Sequence, residues 1–212
     1  GPSTPLDFRR AVRAADNPKV LILASEGGYV SSALLLAYAV KEMGLATYVL
    51  PETGCYSACS FVYFAGTQRR ADGALGVHQV WGDDTDASTA QEVVSDILEA
   101  FVAFGVRQEI TSAMLRTKPE DMYVFSEAEI ASWGINAGDP MSLVEGEAAF
   151  SSNQPARPEK PVSEGPASGK GPRAKPENMA GAYVQLASQR TEADAQRTVA
   201  AIRERYGTIL PI

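Results

Sequence analysis

The sequence predicts an α/β domain over residues 8–150, and three observations support this. Apolar strands alternate with amphipathic helices along this part of the chain. Turns rich in small residues separate them, as at Gly27 and Gly28. The composition then changes, because residues 151–178 hold six of the thirteen prolines and no aromatic side chain. We therefore expect a disordered linker at residues 151–178 and a small β-α-β segment over residues 179–212.

The individual elements follow from hydrophobic periodicity and from the residues that begin and end helices. Helices are predicted over residues 8–15, 30–43, 58–65, 88–104, 106–115 and 191–206. Strands are predicted over residues 19–24, 46–50, 74–79 and 182–188 and from residue 209, with a strand or turn over residues 121–125. Ser126 and Glu129 form the pattern of a capping box before one more short helix that ends at Gly134.

Charge and composition exclude several classes of function. A net charge of -7 and a pI near 4.8 argue against a nucleic-acid partner, since no basic patch is available to neutralise phosphates. No apolar run is long enough to cross a bilayer. One histidine and two cysteines do not make a zinc site, and neither a metal nor a cofactor is predicted. The residues Gly1-Pro2-Ser3 resemble the remnant of a cleaved tag, so we expect a natural signal or anchor to be missing.

Ser57 and His78 are the candidate catalytic residues. Ser57 lies between a predicted strand and a predicted helix, and His78, the one histidine of the chain, ends another predicted strand. Acyl transfer needs a nucleophile, a base and donors for the oxyanion. Ser57 would attack, His78 would take its proton, and the N–H groups of Ala58 and of the Gly27-Gly28 turn would face the oxyanion. The competing interpretation is that Ser57 only caps a helix and that the two glycines only form a turn.

The two cysteines flank the candidate nucleophile. Cys55 and Cys59 are four positions apart, a helical spacing that is not ideal for a disulfide, although Cys55 precedes the helix and can adapt. A disulfide would indicate an oxidising compartment. The alternative is a pair of small buried thiols.

Four ordered motifs resemble the proteolytic subunit of Clp protease, and more closely the predicted periplasmic branch of that superfamily. They are residues 21–30 (LILASEGGYV), 55–59 (CYSAC), 65–70 (AGTQRR) and 76–79 (GVHQ). The resemblance covers roughly residues 8–140. It implies a crotonase-like fold of stacked ββα units, with a serine nucleophile, a histidine base and an oxyanion hole formed by Gly27, Gly28 and Ala58. It also implies a peptide or protein substrate.

The chain departs from the family pattern at two positions. Glu26 stands where the family commonly has proline. When the closing motif is aligned, Met122 falls where the third member of the triad, an aspartate, is expected. The neighbouring Asp121 is our candidate for that acid, and Asn136 is a weaker one. The alternative for Asp121 is a solvated loop carboxylate.

Two further resemblances concern location and assembly. Residues 182–210 resemble the first half of a SPOR domain, a module that binds the glycan strands of peptidoglycan, and this implies the bacterial periplasm. The alternative is a strand and an amphipathic helix without that function. The predicted helix at residues 88–104 matches the position of the Clp handle helix, whose apolar faces join subunits, and this implies a homo-oligomer. Packing within the same domain explains those apolar faces equally well.

Three functional hypotheses follow. The first is a periplasmic Clp-like serine peptidase that acts through an acyl-enzyme on Ser57 and is directed to the cell wall by the SPOR-like segment. The second is a scaffold or adaptor protein that keeps the fold without efficient catalysis, which a missing triad acid would favour. The third is an acyl-CoA enzyme of the crotonase superfamily, which the Ser57 and His78 pair disfavours.

Overall fold

The computed structural model describes residues 4–15, 18–80, 87–143 and 183–188. The helices are α1 (Thr4–Ala14), α2 (Val30–Glu42), α3 (Ala58–Phe64), α4 (Ala87–Phe104), α5 (Gln108–Arg116) and α6 (Glu127–Ser132). The strands are β1 (Val20–Ser25), β2 (Ala46–Val49), β3 (Gly54–Tyr56), β4 (Arg69–Ala71), β5 (Ala74–Val77), β6 (Tyr123–Val124) and β7 (Tyr183–Ser188). In the described part of the chain, no helix combines the length and apolar character that crossing a bilayer requires.

The strand ladders repeat in units of two strands and a helix. The first unit is β2-β3-α3 and the second is β4-β5-α4. The first strands of the units, β2 and β4, pair in parallel, and so do the second strands, β3 and β5. Strand β1 pairs with both members of the first unit, with β2 along most of its length and with β3 at Ser25. The predicted α/β fold of stacked ββα units is therefore confirmed.

Strand β1 is buried on both faces, as expected of a strand in a parallel sheet that is covered on two sides. Leu21 and Leu23 belong to the main core beneath the helices. The alternate residues Val20 and Ile22 belong to a smaller apolar cluster on the other face, against which Met141 packs. Because successive side chains of a strand point to opposite faces, this alternation fixes the register of β1 and the position of the turn that follows it.

Helix α3 is the central helix of the domain. All seven of its residues are buried. Phe61 and Phe64 each make an edge-to-face ring contact with Phe101 of α4, at centroid distances of 5.6 Å in both cases. Edge-to-face pairs add about 0.5–1.5 kcal/mol to the area that they bury. The N-terminus of α3, where Ser57 lies, is consequently anchored to the core.

Strand β7 lies on the second edge of β1. It pairs in parallel along the whole strand, from Val20 with Tyr183 to Ser25 with Ser188. The sequence predicts this strand, but as the first element of a separate SPOR-like segment. The rest of that segment and the predicted linker at residues 151–178 lie outside the described residues, so the predicted module at residues 179–212 stays a prediction.

Most predicted elements within the described residues are found, with ends shifted by a few residues, but β3 and β4 were not predicted. Each has only three residues, too few for a period-two pattern. The predicted strand over residues 74–79 ends at Val77, so His78 lies just beyond it. The capping box is confirmed, since the Ser126 side chain accepts a hydrogen bond from the Glu129 N–H and the Glu129 carboxylate accepts one from the Ser126 N–H.

Candidate active site

Ser57 lies in a strained turn between β3 and α3. Its backbone angles are φ 53° and ψ -128°, in a region that residues other than glycine rarely adopt. Such a conformation costs about 1–3 kcal/mol and persists only where the surroundings enforce it. We call residues 56–58 the elbow, because a sharp strand-to-helix turn of this kind presents a nucleophile in other α/β enzymes.

The side chain of Ser57 does not cap α3. Ser57 occupies the N-cap position, but its hydroxyl makes no capping hydrogen bond. The competing interpretation, in which the Ser57 hydroxyl caps the helix, therefore does not hold. Ser57 is half-buried at the end of the strand, and its hydroxyl has no hydrogen-bond partner among the described residues.

Hydrogen bonds fix the peptide groups on both sides of Ser57. Its N–H donates to the carbonyl oxygen of Gly76 in the neighbouring strand β5, at 3.0 Å. Its own carbonyl oxygen accepts from the N–H of Ser60 at 2.9 Å and from the Ser60 hydroxyl at 2.7 Å. Sequence reasoning missed Ser60. A serine three positions after the nucleophile, in the first turn of a buried helix, was the available signal.

The Gly27-Gly28 turn packs directly against the elbow. Both residues have positive φ, 105° for Gly27 and 141° for Gly28. A Cβ atom on Gly27 would lie 2.7 Å from the Ser57 Cβ and 3.2 Å from the Ala58 nitrogen. Only glycine fits at Gly27, and the backbone of the turn therefore approaches the elbow as closely as an oxyanion hole requires.

Some backbone N–H groups of the Gly27-Gly28 turn and the elbow already donate a hydrogen bond, and others do not. The N–H of Gly27 donates to the Ser25 hydroxyl at 3.1 Å, so this donor is already used. Within the described residues, the N–H groups of Gly28 and Ala58 make no hydrogen bond. Gly28 and Ala58 are thus the better candidates for oxyanion donors, and Gly27 is the close-packed link between Ser25 and the elbow. Sequence reasoning missed this role of Ser25.

His78 directly follows β5, the strand next to the one that leads into Ser57. Because Tyr56 pairs with Gly76, the carboxyl ends of β3 and β5 deliver Ser57 and His78 to the same edge of the sheet. The Gln79 N–H donates to the Thr117 carbonyl oxygen at 2.9 Å and fixes the chain after His78. Burial lowers the pKa of His78 below its usual value, and the backbone of Gln79 opposes this in part. A lowered pKa favours the neutral imidazole, which is the state a general base needs.

Among the described residues, no carboxylate is hydrogen-bonded to the His78 Nδ1 atom. This atom is buried, and no hydrogen-bond partner for it lies in the described part of the chain. Asp121 is exposed, and its backbone N–H donates to the Lys118 carbonyl oxygen at 3.0 Å. Because Val77 pairs with Tyr123, the adjacent Met122 comes opposite His78. Asp121 as the orienting acid stays a prediction.

Asn136, the weaker candidate for the acid, is used elsewhere. Its Oδ1 accepts from the Tyr63 hydroxyl at 2.8 Å and from the Ala71 N–H at 2.9 Å. Asn136 thereby ties the segment after α6 to α3 and β4. What the described residues bring to this edge of the sheet is Ser57, His78 and two backbone N–H groups without an acceptor.

A disulfide joins Cys55 to Cys59, with the sulfur atoms 2.05 Å apart and the Cα atoms 5.3 Å apart. Cys55 lies in β3 and Cys59 in α3, so the change of direction at the elbow brings together two residues whose spacing in a continuous helix is unsuitable. Among the described residues, no group of three His, Cys, Asp or Glu side chains is placed to hold a metal ion.

We expect the reactivity of Ser57 to depend on neutral His78. The rate of reaction with an electrophile should rise with pH, with a midpoint below the usual histidine pKa of about 6.5, and then level off, because only neutral imidazole accepts a proton. His78→Gln should lower this rate about 100-fold and remove the rise. The measurement is the labelling rate between about pH 4.5 and 8, a range that brackets the usual histidine pKa.

Asp121→Asn is the companion variant for this measurement. A loss as large as that of His78→Gln would support Asp121 as the acid, whereas an unchanged rate would leave Ser57 and His78 as a dyad. A midpoint above the usual histidine pKa would contradict the role of burial at His78.

Comparison with known proteins gives fold likenesses only. No family model matches the sequence, and no curated protein matches it. Among solved structures, the chain is similar to a variant of the 1510-N membrane-bound stomatin-specific protease, at 14% identity and a TM-score of 0.49, over 67% of this chain and 76% of that one. It is also similar to a ClpP1 variant from Listeria monocytogenes, at 17% identity and a TM-score of 0.40, over 56% of this chain and 72% of that one. At these values the likenesses assign no activity and no residue role.

Proposed function

We propose that the chain is a Clp-like serine peptidase in which Ser57 is the nucleophile. The observation that carries this proposal is the elbow: Ser57 is held at φ 53° with its hydroxyl free of the helix end, and Gly27 packs against it. A fold that needed Ser57 only as a cap would have no reason to keep this strain. Strained backbone at the meeting point of two strand ends is typical of catalytic sites.

The proposed reaction begins with attack of the Ser57 Oγ on the carbonyl carbon of a peptide bond. The Oγ proton passes to neutral His78, and the N–H groups of Gly28 and Ala58 stabilise the negative charge on the former carbonyl oxygen. Collapse of this intermediate releases the amine, which takes the proton from His78, and leaves an acyl-enzyme. Water then attacks the acyl-enzyme, with His78 again as the base, and frees Ser57 and the acid product.

The expected rate depends on whether an acid orients His78. An orienting acid fixes the imidazole tautomer and stabilises the imidazolium that forms during attack. The described residues supply no such partner to the His78 Nδ1 atom. We therefore expect a slow peptidase.

The proposal extends to location and partners. The Cys55–Cys59 disulfide suits an oxidising compartment, and we propose the bacterial periplasm. The SPOR-like pattern of residues 182–210 motivates a role at peptidoglycan glycan strands. Helix α4 leaves Val102 81% exposed, and this motivates assembly of several copies through α4.

The second candidate function is a scaffold or adaptor protein with this fold. The unpaired Nδ1 of His78 favours it, because an efficient triad would bury that atom against a carboxylate. The two functions differ in one chemical property, which is whether Ser57 reacts covalently with an acyl-enzyme mimic.

Labelling of the unmodified chain with a fluorophosphonate tests this property. A fluorophosphonate phosphonylates an activated serine, and cleavage after Lys41 and Arg69 isolates Ser57 and Ser60 on one fragment, residues 42–69. We expect an adduct on Ser57 alone when that fragment is sequenced by mass spectrometry. Folded protein that gives no adduct, while a known serine hydrolase in the same tube is labelled, would favour the scaffold.

A further inference from the structure

We infer that the Cys55–Cys59 disulfide is a positioning element that holds the elbow in its reactive conformation. This inference rests on the proposed function, since it assigns the disulfide a task at the same site. The bond encloses Tyr56, Ser57 and Ala58, which are the elbow itself. One sulfur is fixed in β3 and the other in the first turn of α3, so the bond spans the point where the chain changes direction.

The elbow needs such a brace because an ordinary support is absent. Serine at an N-cap usually closes the first turn of the helix with its side chain, but the Ser57 hydroxyl does not. Hydrogen bonds fix the Ser57 N–H and the Ser57 carbonyl oxygen. The N–H of Ala58, which is a candidate oxyanion donor, has no acceptor among the described residues. This N–H shares a planar peptide group with the Ser57 carbonyl oxygen, so the hydrogen bonds from Ser60 tie its direction to the first turn of α3. The disulfide in turn joins that turn of α3 covalently to β3, and so sets the direction of the N–H relative to the strand.

The disulfide is better suited to this local task than to stabilising the whole domain. The entropic stabilisation that a disulfide gives grows with the length of the loop that it closes, and this loop is among the shortest possible. Cys55 is fully buried and Cys59 nearly so, and both belong to the main core. Without the bond, the core can still pack, while the strained residue between the two cysteines is free to relax toward negative φ.

Reduction of the disulfide should therefore greatly lower the labelling rate of Ser57 and only slightly lower the melting temperature of the domain. A phosphine reduces the disulfide to two thiols and is itself oxidised by the disulfide to the phosphine oxide; one water supplies the oxide oxygen and the two thiol protons. The two thiols stay in the core, and Ser57 loses its covalent constraint. Relaxation of φ at Ser57 rotates the Ala58 N–H away from the oxyanion position, so the acyl-transfer step slows.

The test compares the double variant Cys55→Ala/Cys59→Ala with the unmodified chain. We expect the fluorophosphonate labelling rate to fall at least tenfold and amide hydrogen exchange over residues 55–60 to become faster, with a small change in melting temperature. Val40→Ala is the matched control, because it removes buried volume from the same core in α2, away from the elbow. It should lower the melting temperature and leave the labelling rate and the exchange of residues 55–60 unchanged.

Several results would overturn the inference. One is a double variant that melts lower but is labelled at the unmodified rate, with unchanged exchange at residues 55–60. If the double variant does not fold, reduction of the unmodified protein by tris(2-carboxyethyl)phosphine replaces it, with the same expected losses. If the unmodified chain is not labelled at all, the proposed function fails, and exchange at residues 55–60 with and without the bond still decides whether the disulfide holds the elbow.

Discussion

Ser57→Ala is expected to abolish fluorophosphonate labelling and to lower any peptide hydrolysis by about 1,000-fold or more, because it removes the atom that forms the acyl-enzyme. The fold should be little affected. The positive φ at this position costs alanine about as much conformational energy as it costs serine. In addition, the hydroxyl that is lost makes no hydrogen bond within the described residues. Melting temperature and labelling rate, measured on the same preparation, test both parts of this expectation.

Ser57→Gly separates catalysis from stability in the opposite direction. Glycine adopts φ 53° without the cost that serine pays, so this variant should be about 1 kcal/mol more stable than the unmodified chain and yet unreactive. A gain in stability on loss of the nucleophile is the signature of strain kept for function. Glycine also raises the conformational entropy of the unfolded chain, which lowers stability by up to about 1 kcal/mol. If the variant loses more unfolding free energy than this, the strain argument is wrong.

Ser31→Ala is the control for the chemistry. Ser31 is an exposed serine on α2, and its removal should change neither labelling nor melting. Labelling that persists in Ser57→Ala would place the nucleophile elsewhere and would refute the assignment of Ser57.

The sequence singles out candidate site residues but does not predict their conformations. The Gly27-Gly28 pair, Ser57 and His78 are candidates because each stands beside a strong strand or helix signal, and their roles stay predictions. The positive φ of Ser57 was not predictable, since a serine before a helix most often indicates a cap. That conformation depends on contacts with Gly27 and Gly76, which are distant in sequence.

Two other features show why pattern alone was insufficient. The sequence left the disulfide between Cys55 and Cys59 open, because the helical spacing is not ideal although Cys55 precedes the predicted helix. The bond depends on the three-residue strand β3, which was not predicted and which fixes the position of Cys55. The alternation of residues 182–188 predicted a strand correctly but could not select its partner. Parallel pairing with β1 joins segments far apart in the chain, and such pairing carries no local sequence signal.

Gly27→Ala is expected to damage both the fold and the reaction. An alanine at φ 105° is strained whatever the space around it, and its Cβ would lie 2.7 Å from the Ser57 Cβ and 2.9 Å from the Tyr56 carbonyl oxygen. Neither neighbour can move without breaking the elbow. We expect a loss of about 2–4 kcal/mol in unfolding free energy and, in the protein that remains folded, a labelling rate lower by about 100-fold or more.

Gly44→Ala isolates the backbone part of this effect. Gly44 also has positive φ, at 66°, but a Cβ there meets nothing within 4 Å. It should cost about 1 kcal/mol in urea unfolding and leave labelling unchanged. The difference between the two variants therefore measures the contact between the turn and the elbow. If Gly27→Ala were labelled at the unmodified rate, the turn would not be part of the reactive site, and the oxyanion donors would have to be sought away from residues 27 and 28.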